Sequence, residues 1–384
     1  MASAETTVTR EEPETFAQAA ATLAAAGEAG VSVRFHGAQT KRDWGRPVRP
    51  AAIELHTTGL DAIVEHNAGD LTAILEAGVP LAVAQKTFAA AGQMLALDPP
   101  LGDNGSATIG GIVATGDSGP LRHRYGAPRD LVIGATVALG DGTIAHSGGK
   151  VIKNVAGYDL GKLFAGSFGT LGLILSVSVR LHPRHEQTTA LGACLDADRL
   201  GEAAIAMAAS PLEFEALDVA WRAGRGGILM RCAGPEHARR AARAARRLEE
   251  LGLAAVEVTA DDEPLWERQR AGQRSRDAAL VRIATAPTAL PAVIRATEAC
   301  DGILVGRAGL GTTYVTVEPQ RVAQLRAALP ASAVSIVLDA PPGLRAEQDP
   351  WGPLQPPVAT LMHNVKNRFD PAGVCNRGLF VDGI

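Results

Sequence analysis

Four hydroxyl side chains, Ser106, Thr108, Thr115 and Ser118, share one stretch with Gly105, Gly110, Gly111, Gly116 and Gly119. Hydroxyls set in bare glycine backbone suit the holding of a large polar ligand by short hydrogen bonds. A helix beginning after Thr108 would present its unpaired first N–H groups, which favour an anion such as pyrophosphate. A second group, His36-Gly37-Ala38-Gln39-Thr40-Lys41, follows a strand-like run at residues 31–35. Its N–H groups can turn onto an anion; the same residues also make an ordinary surface turn. A third, residues 166–174, sets Gly169 and Gly172 around Thr170 and Leu171. Its edge can pair with a planar ring through N–H and C=O groups, or simply enter a strand.

Lys153 suits an anionic substrate or a ring carbonyl, and Tyr158 suits proton donation. The bland alternatives are a surface salt bridge and a packed ring. His123 and His363 stand alone and read as structural. No histidine or carboxylate pair has metal-ligand spacing, so no metal site is expected. Cys194, Cys232, Cys300 and Cys375 form no CxxC or iron–sulfur spacing and read as buried, reduced thiols. The chain has no GxGxxG after its first strand and no phosphate-loop lysine motif, which disfavours a Rossmann site and nucleotide hydrolysis. Residues 235–251 carry Arg239, Arg240, Arg243, Arg246 and Arg247 opposite Ala241, Ala244, Ala245 and Leu248: a solvated arginine face, or a docking face for an acidic partner.

The elements that must position these groups fall into two patterns. Of 42 glycines, 17 lie from Gly102 to Gly172. Around them the sequence predicts helices at 15–29, 71–77, 85–91, 109–115 and 160–164. Strands are predicted at 31–35, 53–55, 62–65, 130–139, 144–146 and 172–181, with Gly140-Asp141-Gly142-Thr143 as a hairpin turn. From residue 187 helices at 199–209, 235–251, 290–299 and 319–328 alternate with strands at 214–221, 227–232, 255–258, 280–284, 303–305, 312–317 and 334–338. That is the pattern of an antiparallel sheet with helices on one face. Residues 339–357 read as a proline-bearing linker, and 358–369 as a helix stopped by Asp370-Pro371-Ala372-Gly373. The division expected is 1–186, with 361–384 returning to it, and 187–360. The 384 residues suffice for two cores, the formal charge of −4 gives no reason to expect nucleic acid, and no apolar run reaches membrane-span length. Residues 1–13 are polar and acidic, without a signal-peptide core, so a cytoplasmic location is expected.

Several motifs carry a resemblance. Thr108-Ile109-Gly110-Gly111, Ser118-Gly119, Arg124-Tyr125-Gly126, Lys153-Asn154-Val155-Ala156-Gly157-Tyr158-Asp159-Leu160 and Gly166-x-x-Gly169-Thr170-Leu171-Gly172 together resemble the vanillyl-alcohol-oxidase (PCMH-type) FAD-binding superfamily. Within it, the chain is most similar to the FAD-binding subunits of glycolate oxidases. The likeness spans about residues 30–186 and returns at Phe369-Asp370-Pro371-x-Gly373-x-x-Asn376. It implies an α+β fold: a two-subdomain PCMH-type FAD-binding domain and an antiparallel-sheet α+β cap. It implies that Gly37, Ala38, Gln39 and Thr40 hold the pyrophosphate. Gly105, Ser106, Ala107, Thr108, Gly111, Thr115, Gly116, Asp117 and Ser118 would contact the ribityl chain, the phosphates and part of the ring. Gly172 and Ile174 would pair with the adenine or flavin edge, and Asn376 would return near the isoalloxazine.

The chain departs from the family at Gln39, where glycine is usual, at Phe168, where glutamate is common, and at Asn376-Arg377-Gly378 in place of Asn-Pro-Gly. Thr40 and Ala127 stand where covalent attachment residues occur, which implies non-covalent FAD. The catalytic relatives' histidines are not evident in 187–360, where Gly306-Arg307-Ala308-Gly309-Leu310-Gly311 lies in the corresponding region. The function implied is an FAD-dependent oxidoreductase subunit acting on CH–OH groups of glycolate or another 2-hydroxy acid. Its expected partners are a second flavoprotein subunit and an iron–sulfur subunit, which could bring it to a membrane peripherally. The alternatives are a non-catalytic FAD-stabilised scaffold of such a complex, or a stand-alone flavin dehydrogenase of another alcohol or acid.

Overall fold

A computed structural model describes residues 8–48, 50–150 and 158–384. The helix Phe16–Ala29 starts at a reciprocal cap: the Gln18 N–H donates to the Thr15 hydroxyl (3.2 Å) and the Thr15 N–H to Gln18 Oε1 (3.1 Å). Gly30, at φ 66°, ends it. Ala19, Ala20, Leu23 and Ala26 form its buried face, against Val33, Leu55 and Leu60. Beside it lies a parallel sheet in which Ile53–His56 is flanked by Thr9–Glu11 and Val33–His36.

A five-stranded antiparallel sheet follows, in the order Ile63–Asn67, Thr72–Glu76, Leu173–Arg180, Val132–Ala138, Ile144–Gly148. One expectation fails here. Residues 71–77 are not a helix but contain the strand Thr72–Glu76. Asn67-Ala68-Gly69-Asp70 resembles a helix cap, yet it turns a hairpin in which Asn67 pairs with Thr72 and Leu71 takes a positive φ of 55°. Pairing with Leu173–Arg180 outweighs local helix propensity.

The rest of the chain builds an eight-stranded antiparallel sheet. Its order is Ala254–Thr259, Gln187–Cys194, Arg225–Ala233, Ala216–Arg222, Ile303–Arg307, Thr312–Val317, Ala279–Ala284, Val334–Val337. Side chains alternate along each strand. Leu217, Val281, Leu304 and Val315 join a core with the helices Ala197–Ala208, His237–Glu250 and Leu290–Glu298. Leu280, Val305 and Tyr314 face the other way, onto Trp44, Phe168, Trp351 and Leu379. The protein is α+β, with helices on one face of this sheet and the glycine-rich half against the other.

Residues 339–357 are not a linker. They carry the helix Pro342–Glu347 and bury Asp339, Arg345 and Trp351. Prolines there start and bound packed structure instead of keeping the chain loose. The strand Gln187–Cys194 and the helix Glu263–Ala271 were not anticipated. Among the described residues no helix is long and apolar enough to cross a membrane.

Candidate functional site

The strand Val33–His36 ends at Gly37 because two backbones converge there. A Cβ on Gly37 would lie 2.3 Å from Thr108 Oγ1. The chain then turns through Gln39 at φ 57°, a left-handed conformation that glycine adopts freely and glutamine at a cost of roughly 1 kcal/mol. A glycine at this position would carry no such backbone cost. No backbone acceptor among the described residues takes the N–H groups of Ala38, Gln39, Thr40 or Lys41. Successive N–H groups around a left-handed turn form an anion-binding concavity.

That loop opens onto a solvent-connected cleft. Its other walls are the helix Ile109–Thr115, the entry to the strand Leu173–Arg180, and Phe168, Asn376 and Leu379. Arg34, Lys41 and Arg42 line it, and no acidic side chain does among the described residues. Burial holds the Arg34 guanidinium below its ordinary pKa, with Glu54 opposing the shift. Lys41 also forms a buried ion pair with Asp117 (3.1 Å), which ties the loop to the far end of the helix.

The large sheet's half holds the loop from outside. Arg274 donates to the Thr40 carbonyl (2.8 Å) and to Asp339 (2.9 Å), and Asp339 also accepts from Trp44 Nε1 (2.7 Å). Arg345 donates to the Asp43 carbonyl.

Ten of the expected binding residues line the cleft: Gly37, Ala38, Gln39, Thr40, Thr108, Gly111, Thr115, Gly172, Ile174 and Asn376. Gly105, Ser106, Ala107, Gly116, Asp117 and Ser118 do not. The Ser106 hydroxyl turns to the Asp103 carbonyl, while the Ala107 N–H and C=O serve Leu101 and Leu81. Gly116 is the left-handed cap of the glycine helix, at φ 65°. Ser118 is buried, and its carbonyl accepts from Arg307 (3.1 Å).

The glycine helix corrects a second expectation. Its first N–H groups are not free for an anion: Ile109 donates to Val79, Gly110 to Ala77, Gly111 to the Thr108 hydroxyl and Ile112 to the Thr108 carbonyl. Gly110 allows this, since a Cβ there would meet Ala77 Cβ at 2.7 Å. The N–H groups left without a backbone acceptor are instead those of Ala38, Gln39, Thr40 and Lys41, in the loop after Gly37. The Thr115 hydroxyl donates back to Gly111 (2.8 Å). Asn376 acts as a clamp, its Oδ1 accepting from Phe35 (2.8 Å) and its Nδ2 donating to Phe168 (2.7 Å).

Sequence reasoning overlooked three things. Arg34 and Arg42 line the cleft, although both stand beside the quoted loop. His36, Glu54 and His56 come together through the register of two parallel strands. A basic cluster forms beside Ser118, where burial and the Arg282 and Arg307 cations hold the Arg122 guanidinium below its usual pKa while Tyr314 opposes them. Arg307 is buried over the Tyr314 ring (4.9 Å) and donates to the Ser118 and Gly119 carbonyls. Asp218, its cross-strand neighbour, is pushed up to about 7 by burial, with Arg307 pulling it down.

Other candidates lie elsewhere. Lys153 is outside the described residues, and Tyr158 is exposed, not a packed ring. His363 pairs with Asp382 at the surface (2.9 Å), and burial lowers the pKa of His123. All four cysteines are free and buried. On the arginine helix, Arg239 and Arg247 pair with neighbouring glutamates while Arg240 caps the carbonyls of Leu212 and Glu213.

Residues 11–148 match the FAD binding domain family. The glycolate oxidase subunit GlcE of Escherichia coli is 37% identical over 158 residues, 41% of this chain and 44% of that protein. A D-lactate dehydrogenase of Archaeoglobus fulgidus is 35% identical over 179 residues, 47% of this chain and 40% of its own. An uncharacterized FAD-linked oxidoreductase of Mycobacterium tuberculosis is 26% identical over 96% of this chain and 89% of that protein. The chain thus spans less than half the length of the first two relatives. The solved structure of alkyldihydroxyacetonephosphate synthase has the same fold, with a TM-score of 0.66 at 12% identity over 96% of this chain and 75% of that one.

Proposed function

We propose that this chain, which carries an FAD binding domain, is the FAD-binding subunit of an oxidoreductase that oxidises the CH–OH group of a 2-hydroxy acid such as glycolate. A second flavoprotein subunit and an iron–sulfur subunit complete the complex, which is cytoplasmic and peripheral to a membrane through those partners. One observation carries the cofactor half of this reading: the cleft combines unpaired loop N–H groups, Arg34 and Arg42, and a glycine that leaves no room for a side chain. These features fit a long pyrophosphate-containing ligand. When bound, FAD supplies a ring able to accept a hydride.

In this reading the N–H groups of Gly37, Ala38, Gln39 and Thr40 hold the pyrophosphate, and Arg42 adds charge. The Thr108 hydroxyl accepts from Gly111 and keeps its own proton to donate into the cleft. Gly111, Thr115, Gly172 and Ile174 bring backbone to the remaining length. Asn376 sets the spacing of Phe35 and Phe168. Gly105, Ser106, Ala107, Gly116, Asp117 and Ser118 brace the walls. Arg122 and Arg282 meet a substrate carboxylate, since their concentration of positive charge favours an anion. Residues 1–186 with 361–384 form the cofactor unit, and 187–360 the cap.

A second reading has one observation of its own. The sheet face turned toward the cleft packs on Trp44, Phe168, Trp351 and Leu379, and Phe168 meets Trp351 (4.8 Å) and Phe380 (5.5 Å). Such filling suits an FAD-stabilised scaffold without substrate chemistry. Purified full-length chain, treated anaerobically with glycolate, separates the two. Bleaching of bound flavin supports the enzyme, and bound flavin that stays oxidised supports the scaffold. Protein that stays colourless after incubation with FAD overturns both. Flavin released by acid precipitation establishes non-covalent binding.

A further inference from the structure

We propose that His36, Glu54 and His56 form a binding site for one borderline divalent cation of the Zn2+ or Co2+ type, at the edge of the cleft that His36 also lines. His36 and His56 are partners in the register of two parallel strands, with Glu54 two residues before His56 on the same face. One ligand atom from each residue lies within 4.8 Å of the other two. His36 Nε2 is 3.7 Å from one Glu54 oxygen, and His56 Nε2 is 3.8 Å from the other. These gaps are too long for hydrogen bonds. Because the two rings face different oxygens of the one carboxylate, a three-ligand site has Glu54 turn one oxygen toward both rings, to bonds of about 2.0–2.1 Å.

A second observation points the same way. The His56 side chain is only 4% exposed and that of His36 12%, yet neither Nε2 has a hydrogen-bond partner. Two buried ring nitrogens left unpaired and aimed at one carboxylate are costly unless something joins them. Imidazole and carboxylate donors suit Zn2+, Co2+ or Ni2+ better than Mg2+ or Ca2+. Glu54 is 42% exposed, which gives the ion a route in and leaves a fourth position to water.

Arg10, Arg34 and Arg42 act on these groups with positive charge, and Glu12 opposes them. Binding is therefore weaker than at closed structural zinc sites. The site begins where the cofactor loop begins, at His36. An ion there ties that strand end to Ile53–His56 and stiffens the base of the loop.

The test uses purified full-length chain, stripped with a chelator and titrated with Co2+. The expected result is one equivalent bound, with the intense visible band of tetrahedral cobalt, and displacement by Zn2+ with a rise in Tm. Glu54→Gln alters a partly exposed side chain and leaves the core intact; it should weaken binding at least tenfold, and His56→Asn should abolish it. His146→Asn, on a distant strand, should leave it unchanged. Absence of a saturable equivalent, or titrations of Glu54→Gln and His56→Asn that match the unaltered chain, would overturn the proposal. Flavin content is measured on the same samples, so loss of the FAD reading and loss of the metal site are distinguishable.

Discussion

Gly37 is the tightest point of the cleft, since any side chain there meets the Thr108 hydroxyl. Gly37→Ala should keep the secondary structure but lower FAD affinity at least tenfold, read by flavin fluorescence titration. Thr108→Ala in the same chain should restore part of it, because the clash is with that hydroxyl. His182 carries a pH effect. Burial, with Arg180 and Arg124, pushes it down to about 4, and its ring lies 4.6 Å from that of Tyr125. Below its unfolded pKa the unfolded chain binds the proton that the folded one refuses. Stability should therefore be full at pH 7 and fall as pH drops from about 6.5 to 4. His182→Gln should remove about one proton from the uptake on unfolding in that window, measured by urea denaturation at several pH values.

Elements meet through a few buried polar anchors. Arg307 reaches from the strand Ile303–Arg307 to the Ser118 and Gly119 carbonyls and neighbours Asp218 across the sheet. Arg307→Leu should cost about 3 kcal/mol in urea unfolding, since the Ser118 and Gly119 carbonyls lose a buried charged donor. On the helix Pro356–Phe369, Lys366 donates to Thr170 and pairs with Asp370, which accepts the Val374 and Cys375 N–H groups. Asp370→Ala should cost a similar amount, and Tm measured with and without FAD should fall in both states.

Much of this level was legible. The helix Ile109–Thr115 and the strands after residue 214 follow hydrophobic periodicity, and Gly30 marks a helix end. The strand Thr72–Glu76 was hidden because one set of turn residues serves both a helix cap and a hairpin. The anchors were hidden because their partners lie far apart in sequence. Nothing near Arg307 signals Ser118, and only the strand register unites His36 with His56.

At the scale of the molecule, the glycine-rich half and the eight-stranded sheet are joined around the loop at residues 37–45. Arg274, Asp339 and Arg345 grip it from one side, and Lys41 anchors it to Asp117 on the other. The cleft was foreseeable from Gly37 and Thr108, but its outer grip was not, because residues 339–357 read as a loose connection. FAD at 100 times its Kd should raise stability by about 2.7 kcal/mol, seen as a concentration-dependent Tm.

The Asn376 clamp has a consequence in time. It joins Phe35 to a residue 341 positions further on and to Phe168, and the Val33 N–H donates to the Val374 carbonyl. During synthesis Phe35, at the entry to the cofactor loop, is made 341 residues before the Asn376 that closes its wall. Chains truncated before Val374 should therefore fail to retain FAD and stay protease-sensitive, read by flavin content and limited proteolysis. Loading with flavin is then a check that Asn376 has reached its place between Phe35 and Phe168.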